Sequence, residues 1–212
     1  MARQLDLFAA PSIGFDPAFA GLRRTELADG AWVDYVPGWV RGHDALFDQL
    51  ERSLTWRTER RRMYDRVVPT PRLLASVPAD GLIEELRRAL SARYGEDFVR
   101  TTAALYRDGD DGVAWHGDTT ARDMDRAIVA TVSLGQPRRF LLRPAAGLPA
   151  GSGPSIGFQL GRGDLLVMGG TCQRTWRHAI PKVARALGPR IAVMFRPMWG
   201  GDEPTPPSTA GA

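Results

Sequence analysis

The sequence predicts a single α+β domain in which helices come first and a series of short strands follows. Two stripes of apolar residues at helical spacing lie between residues 44 and 95. From residue 98 onward, short apolar or alternating runs are cut by glycine, proline and aspartate. A hydrophobic fraction of 43% over 212 residues suffices for one full core.

The elements follow in chain order. Residues 1–30, with Pro11, Pro17 and several glycines, read as an irregular arm over the domain surface. Asp44–Leu54 carries apolar residues at 46, 47, 50 and 54, the spacing of one helix face, with Asp44 as the expected N-cap. Leu82, Ile83, Leu86 and Leu90 form a second stripe, between Asp80 and Gly95. Both stripes read as core-facing surfaces. Strands are expected at Phe98–Tyr106, Val113–His116, Ile128–Leu134, Phe140–Arg143, Ile156–Leu160, Leu165–Met168, Trp176–Ile180 and Ile191–Arg196. Many short strands with turn signals between them indicate a sandwich or barrel, buttressed on one face by the helices. Residues 200–212, rich in Pro, Gly, Ser and Thr, are expected to form a disordered tail.

Composition narrows the function. The formal net charge of +4 and an isoelectric point near 9.8 permit a polyanionic partner. Arginine supplies nearly all of the positive charge, Lys182 being the sole lysine. One cysteine, Cys172, excludes an intrachain disulfide and every multi-cysteine metal site. No apolar run approaches the roughly 20 residues that span a bilayer, and Asp6 and Pro11 interrupt what a signal peptide would need. A monomer in a reducing, cytoplasmic setting, without a membrane partner, is the expectation.

The chain has three histidines, His43, His116 and His178. Residues two apart on a strand point to one side, so His116 and Asp118 in Trp-His-Gly-Asp can converge on one ion. His178 follows 62 residues later in another strand-like run. Two histidines and a carboxylate with open positions suit non-haem Fe(II) oxygen chemistry. The competing reading is two surface or core-capping histidines and a turn aspartate. His43 stands before a helix and reads as a helix-terminal residue. Arg190 and Arg196 fall on one side of a strand, interleaved with apolar residues. They are either solvated edge-strand charges or a guanidinium clamp for a carboxylate.

Together these residues resemble the AlkB family of Fe(II)/2-oxoglutarate dioxygenases. Leu105-Tyr106-Arg107 followed by Trp115-His116-Gly117-Asp118 is similar to that family's tyrosine-bearing strand and His-x-Asp. Ile128–Gly135, Gly163–Gly170, His178–Pro181 and Arg190–Arg196 continue the series in family order. The resemblance implies a double-stranded β-helix (jelly-roll) core at about residues 98–197, with N-terminal helices and a nucleotide-recognition lid at about 55–75, in one domain over 1–199. It implies Fe(II), 2-oxoglutarate and O2, with His116, Asp118 and His178 on the metal. Tyr106 and Arg190 would hold the distal carboxylate of 2-oxoglutarate, and Arg196 would sit nearer the metal. The activity implied is oxidative removal of alkyl groups from nucleobase nitrogens in DNA or RNA, with formaldehyde, succinate and CO2 as products.

Trp56-Arg57 and Arg60-Arg61-Arg62-Met63-Tyr64 interleave aromatic and basic residues, the composition expected of a surface for bases and phosphates. Trp56 and Tyr64 are therefore expected substrate contacts, and Arg72 either contacts phosphate or substrate or sits in a Pro-bounded turn. The competing reading is a charged loop with Trp56 packed beneath it. Three departures from the family pattern stand out. Ala104 replaces an asparagine two before the tyrosine, Ala192 and Met194 replace polar residues between the arginines, and Thr120 replaces an acid two after the metal aspartate. Two other functions remain open: an oxygenase hydroxylating a small molecule or protein, and a non-catalytic nucleic-acid binder.

Overall fold

The computed structural model describes residues 12–63, 66–118, 121, 124–147, 153–184 and 188–198. In chain order the strands and helices are β1 (Gly14–Phe15), β2 (Arg23–Glu26), β3 (Ala31–Val36), β4 (Val40–Arg41), α1 (His43–Ser53), β5 (Arg57–Met63), β6 (Arg66–Ser76) and α2 (Gly81–Tyr94). They continue with β7 (Arg100–Tyr106), β8 (Val113–His116), β9 (Val129–Gly135), β10 (Arg138–Pro144), β11 (Ile156–Leu160), β12 (Asp164–Gly170), α3 (Cys172–Thr175), β13 (Trp176–Ile180) and β14 (Arg190–Arg196).

Two sheets make the jelly roll. The larger has eight strands in the order β2-β3-β12-β9-β14-β7-β6-β5, and the smaller has four, β11-β10-β13-β8. Every pairing in both is antiparallel. Side-chain alternation then divides the central strands of the larger sheet between two cores. Ala103 and Leu105 of β7, Val132 and Leu134 of β9, and Ile191, Val193 and Phe195 of β14 pack against the helices. Their alternates Ala104, Tyr106, Val129 and Ala192 face the smaller sheet, where they meet Phe140, Leu142, Trp176 and Ile180.

Both helices form for the reason their stripes suggested. Leu46, Phe47 and Leu50 of α1 and Ile83, Leu86 and Leu90 of α2 are buried in the helix-side core. Each such side chain contributes about 1.5–3 kcal/mol on burial. Helix α2 ends at Gly95, whose φ of 69° is the left-handed C-terminal conformation that glycine adopts without strain. The start of α1 differs from expectation. Gly42 at φ 63° is the N-cap, and Asp44 lies inside the first turn, where its charge suits the helix dipole.

The first hundred residues hold more strand than their sequence suggested. Within the expected irregular arm, β2 pairs with β3, and β3 in turn pairs with β12. The segment expected to be a recognition lid contains the β5–β6 hairpin, which extends the larger sheet beyond β7. The expected tail at 200–212 lies outside the described residues.

Candidate metal centre and cleft

His116 and His178 are directly opposed in the β8–β13 ladder, with ring centroids 4.2 Å apart. Asp118 follows the end of β8. The ligand atoms of His116, Asp118 and His178 all lie within 4.8 Å of one another, and no other cluster of this kind occurs among the described residues.

The surroundings suit these three groups to a cation. The His116 Nδ1–H donates to the Ala114 carbonyl at 2.9 Å, which leaves Nε2 as the basic nitrogen. His178 is packed face-on against Phe140, centroids 5.4 Å apart. Burial, reinforced by His116, Arg196 and Arg72 against the opposing Asp118 carboxylate, pushes its pKa down to about 3, so the imidazole is neutral and its lone pair available. Burial pushes the Asp118 carboxyl up, but Arg196 together with the two histidines outweighs it and the pKa is lowered, leaving a carboxylate. The Arg196 Nε–H donates to Asp118 Oδ2 at 2.9 Å, and its Nη1–H to Thr102 Oγ1 at 3.0 Å. Two imidazole nitrogens and one carboxylate oxygen form a donor set that fits ferrous iron.

Gly117 is dictated by the same loop. A Cβ there would run into the Gln173 carbonyl oxygen and stand 3.0 Å from Arg177 Nη1. The Gln173 side chain, 1% exposed, accepts the Asp118 backbone N–H at 3.1 Å. Gln173 was not among the expected site residues, because no element was expected between Leu165–Met168 and Trp176–Ile180. The structure instead forms the single helical turn α3 before β13. Cys172, in that turn, is buried, and burial pushes its thiol up to about 12.

A cleft of about 1260 Å³ opens between the sheets and holds the triad together with Arg72, Tyr106, Arg190 and Arg196. Arg190 is 1% exposed. Its Nη2–H donates to Ser133 Oγ at 2.7 Å, and its guanidinium lies 5.2 Å from the Tyr106 ring centroid. Among the described residues, Nε and Nη1 of Arg190 are buried without a hydrogen-bond partner. Such a group is costly unless an anion completes it, and a carboxylate supplies the two acceptors required.

The profile of the 2OG-Fe(II) oxygenase superfamily matches residues 29–196, the span that holds all of these side chains. The chain belongs to that superfamily, on its AlkB branch. It is 27% identical to alpha-ketoglutarate-dependent dioxygenase alkB homolog 3 of Bos taurus, over 79% of this chain and 66% of that protein. It is 29% identical to DNA oxidative demethylase ALKBH2 of Arabidopsis thaliana, over 81% of this chain and 68% of that one. The chain thus spans about two thirds of the length of these relatives. A prolyl hydroxylase from Trichoplax adhaerens superposes with a TM-score of 0.48 at 13% identity, covering 71% of this chain and 73% of its own.

In this oxygenase the expected substrate residues divide. Arg72 lines the cleft, with its Nε buried and without a hydrogen-bond partner among the described residues. Trp56 is not among the lining residues. Its indole N–H donates to the Glu51 carbonyl at 3.0 Å and its half-buried ring packs on the helix-side core. Tyr64 lies outside the described residues. His43 opens α1, with Nδ1 3.0 Å from the Asp44 carboxylate, and takes no part in the triad. Among the described residues no helix is long and apolar enough to cross a membrane.

Proposed function

We propose that this chain is an Fe(II)- and 2-oxoglutarate-dependent dioxygenase that removes alkyl groups from nucleobase nitrogens in nucleic acid. The observation that carries this reading is one cleft holding both a His-Asp-His donor set and a buried guanidinium with two orphaned N–H groups. The first suits a ferrous ion and the second the distal carboxylate of a dicarboxylic co-substrate. When bound, iron and 2-oxoglutarate supply the oxygen-activating chemistry, which belongs to the cofactor and not to the protein.

The protein's part is orientation and exclusion of water. His116, Asp118 and His178 hold the ion. Arg196 and the Gln173 side chain fix the Asp118 carboxylate and backbone, so the ligand is aimed before the metal arrives. Arg190, braced by Ser133 and the Tyr106 ring, holds the distal carboxylate. Val129, Phe140, Met168 and Ile180 give the cleft an apolar wall that keeps bulk water from the reacting carbon.

The cleft exceeds the 300–1,000 Å³ or so usual for a small-ligand site, which leaves room for a target base beside the co-substrate. Arg57 and Arg72 on its lining and the net charge of +4 suit a phosphate backbone. Two relatives named as a DNA oxidative demethylase and an AlkB homolog support the substrate class. A duplex substrate would have to flip its damaged base, at a cost of about a few kcal/mol that single strands largely avoid.

The test is formaldehyde release from N-methylated DNA and RNA oligonucleotides with Fe(II) and 2-oxoglutarate, against a chelator control. Formaldehyde that depends on both metal and co-substrate is expected. Succinate formation without formaldehyde from any oligonucleotide would move the substrate to a small molecule or protein. Absence of both products would leave a non-catalytic binder.

A further inference from the structure

Tyr106 is flanked by two guanidinium groups, not one. Arg190 lies 5.2 Å from its ring centroid and Arg138, from the opposite sheet, 5.9 Å. Both arginines are buried, at 1% and 2% exposure. Arg138 does not line the cleft; Tyr106 and Arg190 do.

The hydrogen-bond partners of Arg138 are unusual for a buried cation. Nη1–H donates to the Asp108 carbonyl at 2.8 Å, and Nη2–H donates to the Asp111 carbonyl at 2.8 Å and the Pro181 carbonyl at 2.9 Å. The nearby Asp111 carboxylate is engaged in a two-point pair with Arg107, at 2.8 Å on each oxygen. Among the described residues, neither Arg138 nor Arg190 donates a hydrogen bond to a carboxylate. Carbonyl dipoles satisfy N–H groups but do not cancel a charge, so this end of the cleft carries two buried positive charges beside one ring. They repel each other: burial lowers the pKa of Arg190 most, and Arg138 lowers it further.

The three carbonyls are also informative. Asp108 and Asp111 belong to the connection between β7, which ends in Tyr106, and β8, which ends in His116. Pro181 follows β13, which carries His178. One guanidinium therefore pins the ends of the strands that hold the ring, and two of the triad residues, in one arrangement.

We propose that Arg138 is a positioning residue of the co-substrate site: it supplies a second buried charge behind Tyr106 and Arg190 that strengthens the hold on the distal carboxylate without touching it. This rests on the reading of the cleft as a 2-oxoglutarate site. The consequence is selective. A 2-oxo acid that has the metal-binding end and lacks the distal carboxylate gains nothing from Arg138.

Two substitutions separate charge from structure. Arg138→Gln keeps N–H donors for the carbonyls and removes the charge, whereas Arg138→Lys keeps the charge. The readout is anaerobic absorbance titration of the Fe(II)-loaded protein with 2-oxoglutarate and, separately, with 2-oxopentanoate, in which a methyl group replaces the distal carboxylate. Arg138→Gln is expected to weaken 2-oxoglutarate binding about ten-fold or more and to leave 2-oxopentanoate unchanged. Arg138→Lys is expected to stay within about three-fold of the parent for both ligands. Parental 2-oxoglutarate affinity in Arg138→Gln, parallel weakening of both ligands, or a loss in Arg138→Lys as large as in Arg138→Gln would each overturn the proposal. If Arg138→Gln does not fold, Arg138→Lys decides alone: retained affinity supports the charge role, and a selective loss of 2-oxoglutarate overturns it. Should the parent bind neither 2-oxo acid, the oxygenase reading falls and takes this one with it. A loss confined to the predictions for the variants sinks Arg138 only.

Discussion

The two faces of β14 contrast more sharply than any other neighbouring regions of the molecule. Toward the helices stand Ile191, Val193 and Phe195, apolar and no more than 1% exposed. Toward the cleft stand Arg190, Ala192, Met194 and Arg196. The first face is closed by contacts within the chain. The second is left incomplete, with Nε and Nη1 of Arg190 lacking a hydrogen-bond partner among the described residues. One strand thus carries stability on one side and unspent binding capacity on the other. The same division runs through β7, where Leu105 faces the helices and Tyr106 the cleft.

The largest expected effect lies on the cleft side. His178→Ala should remove ferrous-iron binding and bring formaldehyde and succinate production to the chelator baseline, while the far-ultraviolet circular dichroism of the parent is kept. Residual metal-dependent turnover would break the triad assignment. His43→Ala, whose side chain stands outside the triad, should leave turnover at the parental level in the same assay.

The helix side should respond in the opposite currency. Phe195→Ala is expected to cost about 3–5 kcal/mol of stability, read as a lower denaturant midpoint. Iron affinity per folded molecule should stay as it was. A comparable loss of iron affinity in the variant would mean that the two faces are mechanically coupled.

Arg190→Met sharpens the contrast because its two effects have opposite signs. Removing an unneutralised buried charge is expected to stabilise the ligand-free fold by about 1 kcal/mol or more, while half-saturation by 2-oxoglutarate rises by about 100-fold or more. Chemical unfolding and a succinate titration check the two parts. A destabilised variant with normal co-substrate affinity would make Arg190 an ordinary structural residue.

The smallest effect concerns Cys172. With its pKa pushed up to about 12 by burial, the group is a thiol throughout the neutral range and only a minute fraction is thiolate. Iodoacetamide at pH 8 should therefore label it far more slowly than it labels free cysteine, until denaturant is added. Mass spectrometry distinguishes the cases, and rapid labelling of the folded protein would show that α3 opens.

These contrasts explain what could be read without coordinates. Val113–His116, Ile156–Leu160 and Trp176–Ile180 form strands with the bounds their patterns suggested, because glycine and proline punctuate them sharply. Strand β3 was hidden: its buried positions include Asp34, a charge neutralised by Arg24 at 2.7 Å and hydrogen-bonded by the Tyr94 hydroxyl at 3.0 Å. A strand whose burial depends on partners ten and sixty residues away shows no simple alternation. Strand β6 was hidden by Pro69 and Pro71, which ordinarily argue against a ladder. In the site, a chain with three histidines narrows the choice of nitrogen ligands by itself. The roles of Gln173, Ser133 and Arg138 depend on which strand faces which, and no local pattern encodes that. Trp56 shows the same limit: an aromatic among arginines has the composition of a nucleic-acid surface, and its packing on the helix-side core is set by distant residues.

The larger sheet also has two ends, and both are written in charge. Its outermost strands are β2, Arg-Arg-Thr-Glu, and β5, Arg-Thr-Glu-Arg-Arg-Arg-Met. An outermost strand offers unpaired amides and carbonyls to any other strand that drifts alongside, which is how sheets recruit one another into aggregates. A second molecule approaching β5 with its own β5 would have to lay an arginine-rich strand beside its twin, and the repulsion opposes the new ladder. Charge on its outermost strands thereby opposes growth of the sheet, eight strands wide among the described residues, a boundary set by electrostatics where a barrel would have set it by closure.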